Sequence, residues 1–158
     1  MHIHGIYKIV LSLIVIGLLS SGCVSPTSEN QQVLKPTTLV PALELHKSGF
    51  EAQIQGKYEI ALDYYNKSIA ADPKNTRVWI DKGNVLMRLN RSEEALSAYD
   101  SALSLESNVS DIWNLRGVAL MASERNTEAL ESFEKALQLA PYSPEAKENR
   151  NLTLEKLK

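Results

Sequence analysis

Histidines, a cysteine and paired carboxylates are the side chains with which this chain could do chemistry, and few of them stand together. His2 and His4 have the spacing of a ligand pair, His46 is alone, and Cys23 is the only cysteine. A metal centre needs several such groups converging on one point, and covalent catalysis needs a base beside its nucleophile. One histidine in the body of the chain supplies neither, and no glycine-rich phosphate loop is present. Glu93 and Glu94 are adjacent, but they open a helical stretch, where carboxylates offset the helix dipole. Catalysis, metals and cofactors are therefore not expected. Four Asn-x-Ser/Thr sites, at Asn66, Asn90, Asn108 and Asn151, could take a glycan, and the turn sites Asn90 and Asn108 suit that best.

The chemistry that does suggest itself is at Cys23. Residues 9–19 are an apolar run broken only by Ser12 and Gly17, and Ser20-Ser21-Gly22 leads directly to the cysteine. Eleven residues of helix reach roughly 16 Å, well short of a ~30 Å hydrocarbon core. That is the length of a signal-peptide core. Leu18-Leu19 followed by Gly22-Cys23 resembles a prokaryotic lipoprotein processing site, although Ser20 stands where that family usually has an aliphatic. The resemblance implies removal of 1–22 as a signal peptide and lipid on the sulfur of Cys23. An uncleaved anchor and a secreted protein with one thiol are the alternatives. Residues 23–41, with Pro26, Pro36 and Pro41 among polar residues, then read as a flexible tether. A chain of that length spans roughly 20–25 Å.

Beyond the tether the sequence repeats. Gly49, Gly83 and Gly117 lie 34 residues apart, and the same step joins Ala61, Ala95 and Ala129. It also joins Tyr65, Tyr99 and Phe133, and Trp79 with Trp113. The copies are 42–75, 76–109 and 110–143, each reading as two amphipathic helices joined by a short polar turn. In the second, Ser92 is the expected N-cap. Glycine inside a helix costs about 1 kcal/mol relative to alanine, so its recurrence argues for a close approach, with Ala61, Ala95 and Ala129 as the small partners and Tyr65, Tyr99 and Phe133 filling the wedge between the helices. Pro73 and Pro141 stop the second helices, whereas Ser107 at the equivalent place predicts a helix that runs on or frays. Residues 144–158 predict a charged capping helix packed through Ala146, Leu154 and Leu157.

Trp79, Gly83, Ala95, Tyr99 and Ala102, then Trp113, Gly117, Ala129, Phe133, Ala136 and Pro141, resemble the tetratricopeptide repeat. The first copy departs from it at Leu45, Ser48 and Ser68. The resemblance implies an all-α, right-handed solenoid of three helix-turn-helix repeats plus the cap. It also implies a concave groove, lined by the first helices, that takes a protein or peptide. Mapped onto this chain, the lining is His46, Lys47, Phe50 and Gln53; Arg77, Ile80, Asp81, Asn84, Met87 and Arg88; and Asp111, Asn114, Val118 and Met121. Ile80, Met87, Val118 and Met121 would form its apolar strip. Some family members clamp a chaperone carboxylate through Lys, Asn and Arg. The equivalent places hold His46, Phe50, Asp81, Asp111 and Leu115, so that clamp is absent.

Loss of 1–22 removes only Lys8 among charged residues, leaving 16 basic against 19 acidic, a net charge of −3. No basic footprint for nucleic acid is present. The expectation is a lipid-anchored envelope protein that binds a partner in its groove, or alternatively one whose repeats self-associate. Cys23→Ser is expected to release the protein from membranes or leave it unprocessed at higher mass. Intact-mass spectrometry checks this: wild type that keeps 1–22 and carries no lipid contradicts it.

Overall fold

A computed structural model describes residues 36–158, with side chains from Val40 onward. Cys23, His2, His4 and the expected signal peptide lie outside the described residues. The helices are α1 (Pro36–Ile54), α2 (Tyr58–Ala71), α3 (Thr76–Arg88), α4 (Ser92–Leu105), α5 (Ser110–Ala122), α6 (Asn126–Leu139) and α7 (Pro144–Lys156). The described residues contain no strand. Each odd-numbered helix packs on the even one that follows it, and each even one on the next odd one. α1 also meets α3, and α5 meets α7, so the odd helices share one face.

The helix pairs are joined around glycine. A Cβ at Gly49 would sit 2.6 Å from Cε1 of Tyr65, and one at Gly117 would sit 2.5 Å from Cε1 of Phe133. At Gly83 it would strike the Tyr99 ring in the same way. All three rings are buried completely or nearly so. The glycine thus makes room for an aromatic ring from the second helix of its own repeat. Ala61, Ala95 and Ala129 are fully buried but are not what the glycines approach.

The turns are left-handed at one residue each. Gly56, Asn90 and Glu124, again 34 apart, have φ of 72°, 58° and 61°. The next N–H reaches back to Ala52, Leu86 or Leu120 at 2.9 Å in each repeat, closing the helix end as a Schellman turn. Ser92 does not cap α4: it is the first helical residue, Arg91 precedes it, and no side chain caps the end. Arg91 grips Glu94 of the first turn through two bonds of 2.6 and 2.7 Å, and Arg125 grips Glu128 likewise. The same arginines reach Glu59 and Glu93 of the preceding repeat. These bonds hold the carboxyls of Glu94 and Glu128 below the usual carboxylate range.

Three other local expectations are corrected. α4 neither runs on nor frays; it ends at Leu105, as α2 ends at Ala71 and α6 at Leu139. Proline is dispensable there because Trp79 donates to the carbonyl of Pro73 at 3.0 Å, and Trp113 donates equally well to that of Ser107 at 2.8 Å. α1 begins at Pro36, so residues 36–41 of the expected tether are helical, with Pro41 inside the helix. Proline at the helix start gives up no bond, and Pro41 loses only one. In α7, Ala146 and Thr153 are fully buried while Leu157 is exposed. The cap therefore packs through a face running from Ala146 past Asn149 to Thr153.

Ser68, unusual for the repeat, is buried and donates to the carbonyl of Ala42 at 2.8 Å. Among the described residues no helix is long and apolar enough to cross a membrane.

Gly83→Leu is expected to lower unfolding free energy by about 1–3 kcal/mol or more, because the buried Tyr99 ring cannot yield. The same change at Gly49 should do less harm, since the central repeat packs on both sides. Shortening the ring as well, in Gly83→Leu/Tyr99→Ala, should be less than additive. Denaturant titration of these variants and of Tyr99→Ala checks this, and an unchanged midpoint for Gly83→Leu contradicts it.

Candidate peptide-binding groove

α1, α3 and α5, with a tyrosine each from α2 and α4, line an open groove of about 460 Å³. Its walls are Gln53, Ile54 and Tyr58, then Asn84, Met87, Arg88 and Tyr99, then Leu115 and Val118. Five residues expected from sequence lie here: Gln53, Asn84, Met87, Arg88 and Val118. Ile54, Tyr58, Tyr99 and Leu115 were missed. Ile54 could have been found as the residue 34 before Arg88. Leu115 had been considered only as an empty clamp position.

The aromatic joints reach through to this surface. The Tyr65 hydroxyl donates to Oε1 of Gln53 at 2.6 Å, and that of Tyr99 donates to Oδ1 of Asn84 at 2.9 Å. Burial, reinforced by the charge of Asp81, pushes both phenols well above their usual range, so both remain donors. In the third repeat the ring is Phe133, which has no hydroxyl, and apolar Val118 occupies the place of Asn84. The amide stands at a different position in each repeat: Phe50 holds the place of Asn84 in the first, and Met87 that of Gln53 in the second.

Other expected lining residues serve the joint between the first two repeats. Asp81 is buried and accepts from Nε2 of His46 at 2.9 Å and from Nε of Arg77 at 3.1 Å. His46 also lies 5.8 Å from the Tyr65 ring, tilted against it. Both bonds fall on Oδ2 of Asp81, so that oxygen is engaged within the joint. Ile80 is half-buried against the core. Phe50 and Asp111 are exposed, and Arg77 is exposed beyond its bond to Asp81.

The third-repeat end of the groove is closed. Nδ2 of Asn149 on α7 donates to Oδ1 of Asn114 at 3.0 Å, and the Thr153 hydroxyl approaches the Met121 sulfur at 3.4 Å. These two residues meet the cap, so the apolar strip is made instead by Ile54, Met87, Leu115 and Val118. Among the described residues no cluster of three His, Cys, Asp or Glu could hold a metal.

This is the architecture of a helix-turn-helix repeat array, and sequence comparison says which. The tetratricopeptide-repeat profile matches residues 51–107 and 80–144, and the chain belongs to that family. Among solved structures it is similar to the first such domain of Spaghetti (RPAP3), determined with the HSP90 peptide SRMEEVD. The two are 29% identical, with a TM-score of 0.72 over 75% of this chain and 94% of that one. The first such domain of human RPAP3 is 30% identical, with a TM-score of 0.70 over 74% of this chain and 92% of that one. The Arabidopsis OM64 domain shares the fold at 18% identity, with a TM-score of 0.72 over 75% of this chain and 98% of that one. No curated protein matches.

Asp81→Ala strands His46 and removes a buried acceptor with two partners. It is expected to lower unfolding free energy by about 1–3 kcal/mol, whereas Arg77→Ala, at an exposed pair, should lower it by less than about 1. Denaturant titration checks this, and equal losses would show that the His46 bond adds nothing.

Proposed function

We propose that the chain is a lipid-anchored envelope protein whose repeats hold a segment of a partner protein in the groove, as a scaffold or assembly factor. The observation that carries the reading is the groove itself: apolar at Ile54, Met87, Leu115 and Val118, and polar at Gln53, Asn84 and Arg88. Methionine adapts to varied side chains, and the three odd helices give a continuous trough instead of a closed pocket. The family relation supports peptide binding, since the Spaghetti domain was determined with a peptide. The lipid anchor rests on Gly22-Cys23 after the apolar run.

Self-association is the second reading, and one observation favours it. Val40, Leu43, Phe50 and Ile54 are 66%, 62%, 41% and 70% exposed, at spacings of three, seven and four residues along α1. A sedimentation mass above the monomer at micromolar concentration would support it.

Met87→Asp would bury an unpaired charge under the bound segment, and is expected to weaken binding about a hundredfold or more. Ser97→Asp, on an exposed position of α4, should leave binding unchanged. Calorimetry with a partner recovered by pull-down checks both. A loss confined to Ser97→Asp would place the site on the other face.

A further inference from the structure

The groove specifies more than a partner of apolar character. Arg88 is its one charged wall residue, no carboxylate lines it, and Arg88 makes no ion pair among the described residues. Every other arginine of the described residues is engaged: Arg77 with Asp81, Arg91 with Glu59 and Glu94, Arg116 with Asp100, Arg125 with Glu93 and Glu128, and Arg150 with Glu134. Arg88 is thus the one arginine among the described residues without an ion pair, and it stands at the edge of the apolar trough.

The amides add a second requirement. The oxygens of Gln53 and Asn84 accept from Tyr65 and Tyr99, so each of these groove-lining amides has its NH₂ group left to donate. Two fixed donors on neighbouring helices suit carbonyl oxygens of an extended main chain, which carries one acceptor per residue. The places of the family's carboxylate clamp give a terminal carboxylate no cradle. His46 and Asp81 are bonded to each other, and Phe50, Asp111 and Leu115 supply no cation.

We propose, resting on the groove reading above, that its ligand is an internal, extended segment of a partner protein with an acidic side chain set among apolar ones. The acid pairs with Arg88, main-chain carbonyls accept from Gln53 and Asn84, and the apolar side chains lie on Ile54, Met87, Leu115 and Val118. The carboxylate–guanidinium pair, formed beside apolar walls, gives the charge selectivity.

The test uses the full-length chain in detergent against a bead-displayed library of random ten-residue peptides with capped ends. Enriched peptides are expected to carry Asp or Glu flanked by apolar residues, and to bind equally with an amidated or a free C-terminus. Arg88→Glu should weaken them at least about tenfold and turn enrichment toward Lys and Arg, with the melting temperature held near that of wild type. Asn84→Asp, which still accepts from Tyr99 but cannot donate, should also weaken binding about tenfold. Peptides that are lost on Met87→Asp yet show no acidic preference, ignore Arg88→Glu or need a free C-terminus would overturn the inference and leave the groove reading standing. No enrichment, or peptides indifferent to Met87→Asp, would overturn both.

Discussion

An aromatic ring seated where a helix has no Cβ is the contact on which the rest of this structure depends. In each repeat the second helix sends Tyr65, Tyr99 or Phe133 against Gly49, Gly83 or Gly117 of the first. Glycine at that position weakens the isolated helix by about 1 kcal/mol. The loss is offset by burying a whole ring at the centre of the pair, since a large buried side chain contributes about 1.5–3 kcal/mol. The seat fixes how closely the two helices approach, and hence the plane of the odd helices that make the groove. Where the ring is tyrosine, its hydroxyl passes through the helix layer and orients an amide on the far side. One contact therefore sets both the packing of the repeat and the polarity of its binding face.

Repeats so built need joints between them, and the chain places different joints on different edges. On the turn edge Arg91 and Arg125 tie each turn to the one before. Arg116 bonds Asp100 and Ser132 while lying over the Trp113 ring, linking the second and third repeats. On the groove side the first joint is the His46–Asp81–Arg77 cluster, and the last is the Asn149–Asn114 bond to the cap. The turn-edge pairs are exposed and contribute little each. Asp81 is buried, and its partners keep it from being an uncompensated charge. α7 ends the array by burying its own Ala146 and Thr153 and leaving a charged exterior.

Much of this was legible because a 34-residue period reports on packing repeated in register. Gly, Ala and aromatic positions fixed the helix pairs, and the odd-helix residues Gln53, Asn84, Met87, Arg88 and Val118 pointed to the groove. What the period could not reveal was which atoms meet. Alanine looked like the partner of glycine because both are small, but the ring fills that space. Ser92 looked like an N-cap because its type is right, yet Arg91 and Glu94 bond across the first turn instead. The cap was read correctly at Ala146 and wrongly at Leu157, because leucines mark a buried face less reliably at the end of the array, where Thr153 is fully buried instead. Asp81 and His46 could not be seen as a pair because they lie 35 residues apart, one step off the repeat.

The central claim, that one ring on one glycine builds each repeat and orients its groove, is tested most directly by proton NOEs. Each of Gly49, Gly83 and Gly117 should show strong methylene cross-peaks to the ring of Tyr65, Tyr99 and Phe133 respectively. The Tyr99 hydroxyl should further show a slowly exchanging resonance close to the Asn84 side chain. Glycine cross-peaks to Ala61, Ala95 and Ala129 in place of the rings would contradict the account.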